Sequence, residues 1–146
     1  MKIAGILPCS FVNGDGSRYV VFLQGCPHHC PGCQNPDTWD FNGGTSATAT
    51  EIAIDFRRRK LLDGITLSGG EPFCQQDECL ALLDLLPGVN VWIYTGYEYE
   101  DICNTPLAKR ADVLVVGAFR EELRCENAMY GSSNQRIIRL SRSVSL

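Results

Sequence analysis

Cys26, Cys30 and Cys33 stand at C-x3-C-x2-C spacing inside GCPHHCPGCQNPDTW, residues 25–39. Three prolines and two glycines make the stretch too irregular for a helix, and its histidines make it too polar for a buried strand. A tight loop of this kind brings three thiolates towards one centre. Thiolates suit iron–sulfur clusters and zinc. Four-iron clusters are usually held by four cysteines, so three would leave one iron without a protein thiolate, an open position where substrate chemistry can occur. Zinc with His28 or His29 as fourth ligand is the competing reading, and a dithiol or disulfide pair stands behind both. Apart from that role the two histidines read as solvated loop residues, ahead of the alternative that they hydrogen-bond near the cluster or shuttle protons, and Trp39 as a packing anchor.

A second stretch, Ser68-Gly69-Gly70-Glu71-Pro72, offers different chemistry. Two glycines let a ligand approach the backbone closely, and a carboxylate beside them can take an ammonium group. Alone it reads as a turn after a strand. Beside the three-cysteine loop it becomes half of a site.

Both stretches need a scaffold. Residues 19–23 form an apolar run ended by Gly25 and Pro27, directly before the cysteines, and read as a buried strand. Residues 51–62 have helical character, with Ile52, Ile54, Phe56 and Leu61 available for a core face. Residues 65–67 then read as a strand breaking at the glycine pair, and residues 75–86 as a second helix carrying Leu80, Leu83 and Leu86. Further strands are expected at 89–94, 113–116 and 136–140, with short helical segments between 98 and 110 and around 120–126. Such alternation implies a parallel sheet or partial barrel whose functional loops gather at the carboxyl ends of strands. Both chemical stretches lie at such ends. The fold class expected is therefore α/β, a compact partial (β/α) barrel of mainly parallel strands, with residues 1–146 forming one domain.

Composition narrows the function. The 146 residues carry 13 Lys and Arg against 17 Asp and Glu, a net charge of -4, which argues against a general binder of nucleic acid or membrane surfaces. The basic run Arg57 to Lys60 fits the last turn of a helix, where the dipole favours cations. Met1 to Cys9 holds one lysine and an apolar run closed by Pro8, too short for a secretory leader. No stretch approaches the ~20 apolar residues of a membrane span, so a cytoplasmic location is expected. Disulfides do not persist in that compartment, which makes metal binding the leading explanation for some of the eight cysteines. Cys9, Cys74, Cys79, Cys103 and Cys125 match no cluster motif and read as free thiols.

The cysteine spacing and the Gly-Gly-Glu-Pro strand end together resemble the radical S-adenosylmethionine superfamily. Within it the chain is most similar to the activating enzymes of anaerobic (class III) ribonucleotide reductase. That closer likeness rests on Asn13-Gly14, Arg18, Gly25-Cys26, Cys30-Pro31-Gly32-Cys33, Thr38-Trp39, Ser68-Gly69-Gly70, Tyr94-Thr95-Gly96-Tyr97 and Gly131-Ser132-Ser133-Asn134-Gln135. The resemblance implies a [4Fe-4S] cluster on Cys26, Cys30 and Cys33, with S-adenosyl-L-methionine chelating the free iron. Ser68, Gly69 and Gly70 would hold its methionine part, Glu71 would lie near its ammonium group, and Gly32, Cys33 and Gln34 would line the same pocket. It implies reductive cleavage to a 5'-deoxyadenosyl radical that makes a glycyl radical on the large reductase subunit. A low-potential donor such as flavodoxin or ferredoxin would supply the electron. A radical enzyme acting on another glycyl-radical enzyme or a small molecule, and a zinc-binding interaction module, are the alternatives. The chain departs from the pattern of that family at Val116, where its members usually carry Asp, and at Asp15 and Tyr130, where they tend to have Pro and Arg.

Overall fold

The computed structural model describes residues 1–33, 36–125 and 130–140. Seven strands form one sheet: β1 (Lys2–Ser10), β2 (Arg18–Leu23), β3 (Thr45–Ser46), β4 (Gly64–Gly69), β5 (Asn90–Tyr94), β6 (Val113–Val116) and β7 (Arg136–Arg139), in the order β3-β1-β2-β4-β5-β6-β7. The middle pairs, β2 with β4, β4 with β5 and β5 with β6, are parallel. The flanking pairs are antiparallel. The pairing thus establishes a mixed α/β sheet, parallel in its middle.

The four central strands are apolar at nearly every position because both of their faces are covered. Side chains alternate between faces along a strand. One set, Tyr19, Val21, Leu23, Ile65, Leu67, Val91, Ile93, Leu114 and Val116, meets the helices α1 (Ala49–Arg58), α2 (Gln76–Asp84) and α4 (Pro106–Arg110) in the main core. The other set puts Trp92, Val113 and Val115 into a smaller cluster with Tyr94, Tyr130 and Ile137. Arg18 lies on this second face, almost wholly buried. Its guanidinium donates to the Thr66 hydroxyl, the Asn90 side chain and the carbonyls of Ile65 and Asn90. Burial lowers its pKa to about 10, so it stays charged at neutral pH.

The capping box of Thr48 and Glu51 starts α1. The helix ends at Arg58, four residues before the expected limit, with Arg57 and Arg58 in its last turn and Arg59 already extended. Leu61 is therefore off the helix and 94% exposed. Ile54 is exposed as well, because two positions from buried Ile52 is the far side of a helical turn. A short helix α3 (Tyr99–Ile102) follows β5. The helical segment expected around 120–126 is a single 3-10 turn, Glu121–Leu123. Among the described residues no helix is long and apolar enough to cross a membrane.

Candidate functional site

A cavity of about 560 Å³ opens where β2, β4, β5 and β6 end. Cys26, Cys30 and Cys33 line it together with Ser68, Gly69 and Gly70 from the end of β4 and the turn after it, Tyr94 from the end of β5 with Thr95 and Gly96 following it, and Gly117 after β6. The two stretches singled out in the sequence thus share one wall. They do so because β2 and β4 run parallel in register, with Leu23 opposite Gly69, so the loops that follow them emerge side by side.

The cysteine loop is fastened at its start. The Gly25 N–H donates to the Thr38 carbonyl and the Cys26 N–H to the Trp39 carbonyl, while Gly32, at φ +71, permits the turn before Cys33. Cys26 is buried and Cys30 and Cys33 are half-buried. Burial raises the thiol pKa of both Cys26 and Cys30. Among the described residues no three His, Cys, Asp or Glu side chains converge as a single ion would require.

Gly70 serves the loop more directly than expected. Its N–H donates to the Leu23 carbonyl, and the Glu71 N–H to the Gly25 carbonyl, both at 2.8 Å. A β-carbon on Gly70 would strike the Gly25 backbone, and one on Gly69, at φ +84, the backbone of Phe22 and Leu23. These glycines are required by the close approach of two strand ends.

Glu71 is held in a network of its own. It is fully buried, and its carboxylate accepts from the Gly96 N–H at 2.9 Å and the Phe73 N–H at 3.1 Å, with the Thr95 hydroxyl 2.8 Å from both oxygens. His28 Nε2 lies 2.6 Å away. Glu71 therefore ties the cysteine loop to the β5 end from beneath the cavity. His28 is no solvated loop residue: it is largely buried, packs edge-on against Tyr97 at 4.6 Å and covers Gly96. His29 stacks on Trp39 at 4.8 Å, in keeping with Trp39 as an anchor. Gln34 lies outside the described residues.

The Gly131 to Gln135 stretch is a clasp. Gln135 accepts from the N–H groups of Gly131 and Ser132 and donates to the Gly117 carbonyl. Asn134 donates to the Ala118 carbonyl, and the Ser132 hydroxyl accepts from the Arg120 N–H. These bonds hold the segment after β6 against the cysteine loop, where the Arg124 guanidinium donates to the Gly32 carbonyl at 3.2 Å and the Phe119 backbone bonds to Cys30. Sequence reasoning missed Phe119, Arg124 and Cys125, all of which line the cavity, because nothing local marks them. Val116 is buried on the helix side, so its side chain belongs to the core. Tyr130 does line the cavity, and Asp15 pairs with Arg139 at 2.9 Å.

Trp39 Nε1 and Tyr94 Oη are buried without a hydrogen-bond partner among the described residues. The cavity itself has a volume typical of small-molecule sites.

Comparison with known proteins agrees with this geometry. The 4Fe-4S single cluster domain family matches residues 12–138. An anaerobic ribonucleoside-triphosphate reductase-activating protein of Enterobacteria phage T4 is 37% identical over 146 residues, covering 94% of this chain and 93% of that protein. Its namesake in Escherichia coli K12 is 36% identical over 141 residues, covering 88% and 92%, and that of Haemophilus influenzae 32% over 149 residues, covering 90% and 94%. The chain belongs to the 4Fe-4S single cluster domain family and, within it, to the anaerobic ribonucleoside-triphosphate reductase-activating proteins.

Proposed function

We propose that this chain, as a single radical S-adenosylmethionine domain over residues 1–146, activates an anaerobic ribonucleotide reductase by generating a glycyl radical on its large subunit. The observation that carries this reading is the shared wall of one cavity, where the three-cysteine loop and Ser68-Gly69-Gly70 stand side by side. Cys26, Cys30 and Cys33 would hold a [4Fe-4S] cluster, and Ser68, Gly69, Gly70, Gly32 and Cys33, with Gln34, would bound the place of S-adenosylmethionine. When bound, the pair would supply radical chemistry, reductive cleavage of the sulfonium driving removal of a hydrogen atom from a glycine Cα of the reductase.

The chain's own residues position and shield. Glu71 and His28 fix the loop that carries the ligands, the glycines keep the wall clear of side chains, and the Gln135 clasp holds Phe119 and Arg124 along the rim. No proton need move, so the lack of an assigned acid–base pair in the cavity costs the mechanism nothing. A chain of this length encloses little on its own, and the reductase loop entering the cavity would complete the exclusion of water from the radical.

Anaerobic reconstitution is expected to give brown protein with about four irons and four sulfides per chain, lost when Cys26, Cys30 or Cys33 becomes Ala. Mixed with its cognate reductase, S-adenosylmethionine and a low-potential reductant such as reduced flavodoxin, it should produce a glycyl-radical doublet by electron paramagnetic resonance on the partner. Stoichiometric zinc without sulfide would overturn the cluster. Cofactor cleavage without a radical on the reductase would move the assignment to another glycyl-radical enzyme or to a small-molecule substrate.

A further inference from the structure

We infer that the large reductase subunit docks on an uncovered apolar strip made by Leu7, Phe11, Val12 and Phe22, beside the mouth of the cavity. This rests on the activating function proposed above and names the surface through which it is exercised.

Helices cover one face of the sheet. On the other, the cluster around Trp92 packs over β5 to β7, and the strip lies over β1 and β2. Register places its members there. Leu7 stands opposite Val20 and Gly5 opposite Phe22, and cross-strand partners share a face. Val20 and Phe22 alternate with Tyr19, Val21 and Leu23 of the helix-side core, so all four residues face the other way. Leu7 is 44% exposed and Phe22 half-buried, and a β-carbon on Gly5 would meet nothing within 4 Å among the described residues. The loop after β1 extends the strip. It folds back onto the same face, where a β-carbon on Gly14 would strike the Trp92 ring and the Asn13 carbonyl accepts from the Thr66 hydroxyl at 2.7 Å. The Ser10 hydroxyl donates to Asn13 Oδ1 at 2.6 Å, and Asp15 pairs with Arg139. With the loop fastened on both sides, Phe11 and Val12 still project, 70% and 62% exposed.

The occupant follows from continuity with the cavity. Phe22 is level with Ser68, a residue of the cavity wall, and Val12 itself lines the cavity, so whatever covers the strip overhangs the mouth. A second copy of this chain seated there would block the entry of the reductase glycine, whereas the subunit that delivers that glycine occupies the mouth and the ground beside it together. The strip is also uncharged. Residues 3–13 hold no Asp, Glu, Lys or Arg, and beyond Ile3 the described residues leave the outer edge of β1 without a paired strand. Exposed edges are normally guarded by charge. Contiguous exposed apolar groups mark protein contacts, and aromatic residues are enriched in the cores of such contacts. The matching surface on the reductase is therefore apolar and flanks the segment that carries the glycine.

The test uses the full chain, reconstituted without air, and the cognate large subunit. Phe11→Lys and Leu7→Lys should keep iron, sulfide and unfolding midpoint, because both side chains are exposed and neither lines the cavity, yet each should weaken binding to the reductase by roughly tenfold or more. Ile54→Lys, at an exposed position of α1 across the sheet, should bind as the parent does. Cys9, exposed between Leu7 and Phe11, supplies a measurement on the unaltered chain: iodoacetamide should label it several-fold more slowly with the reductase bound. If the unaltered chain neither binds the reductase nor puts a radical on it, the activating function falls and the inference with it. If it does both, while the lysine variants bind as tightly as Ile54→Lys or Cys9 is labelled at one rate with and without reductase, the docking surface is overturned and the activating function stands. Lysine variants that dissociate a dimer of the unaltered chain in sedimentation, and bind the reductase unchanged, would overturn it in favour of a second copy.

Discussion

A carboxylate taken out of water is destabilising unless donors meet its oxygens, and Glu71 meets Thr95, Gly96, Phe73 and His28. Glu71→Ala should therefore lower the stability of the cluster-free chain by about 3 kcal/mol, since it strands buried donors on two elements; denaturant midpoints would measure it. Glu71→Gln should lose less. Unchanged stability with weakened S-adenosylmethionine binding would instead mean that the carboxylate faces the ligand. Tyr94 presents the opposite case. Burial raises its pKa, so the hydroxyl stays protonated, yet it has no hydrogen-bond partner among the described residues. Tyr94→Phe should leave the cluster-free chain as stable or more so by about 1 kcal/mol, which thermal unfolding would measure.

At the scale of elements, the central strands were legible because burial on both faces leaves uninterrupted apolar runs, as at residues 19–23 and 113–116. The first strand was not. Met1 to Cys9 reads as an apolar run stopped by Pro8, but β1 tolerates that proline where its pairing with β2 slips between Leu7 and Ser10. Two-residue β3 carries no pattern at all. In the site, cysteine spacing and the glycine pair could be read because each is contiguous, whereas Phe119, Arg124 and Cys125 reach the cavity only through tertiary contacts with Gln135 and Gly32. The reason for the glycines was also hidden. The sequence suggests room for a ligand, but the β-carbon position of Gly70 points at Gly25, the residue before the first cysteine. Gly70→Val should accordingly reduce iron and sulfide uptake as well as S-adenosylmethionine binding. Full cluster content with binding alone abolished would restore the simpler explanation, and iron analysis beside a binding isotherm would decide between them.

Across the whole molecule the two faces of the sheet are built differently. Helices cover one with aliphatic side chains, and the other rests on Arg18, whose donors satisfy Thr66, Asn90 and two carbonyls beneath Trp92. Arg18→Met keeps the length of the side chain but leaves those acceptors unpaired, and should cost about 3 kcal/mol in stability, measured by denaturation. If the loss were under about 1 kcal/mol, water would be serving them instead. The parallel register of the four central strands has a further consequence. Leu23 stands level with Gly69, and Tyr94 with Val115, so the walls of the cavity are set out at the spacing of the strands themselves. At about 4.8 Å per strand, the three gaps from β2 to β6 span roughly 14 Å. The backbone lattice thus sets the width of the cavity floor, and replacing a lining side chain changes what stands on that floor without moving the paired strands beneath it.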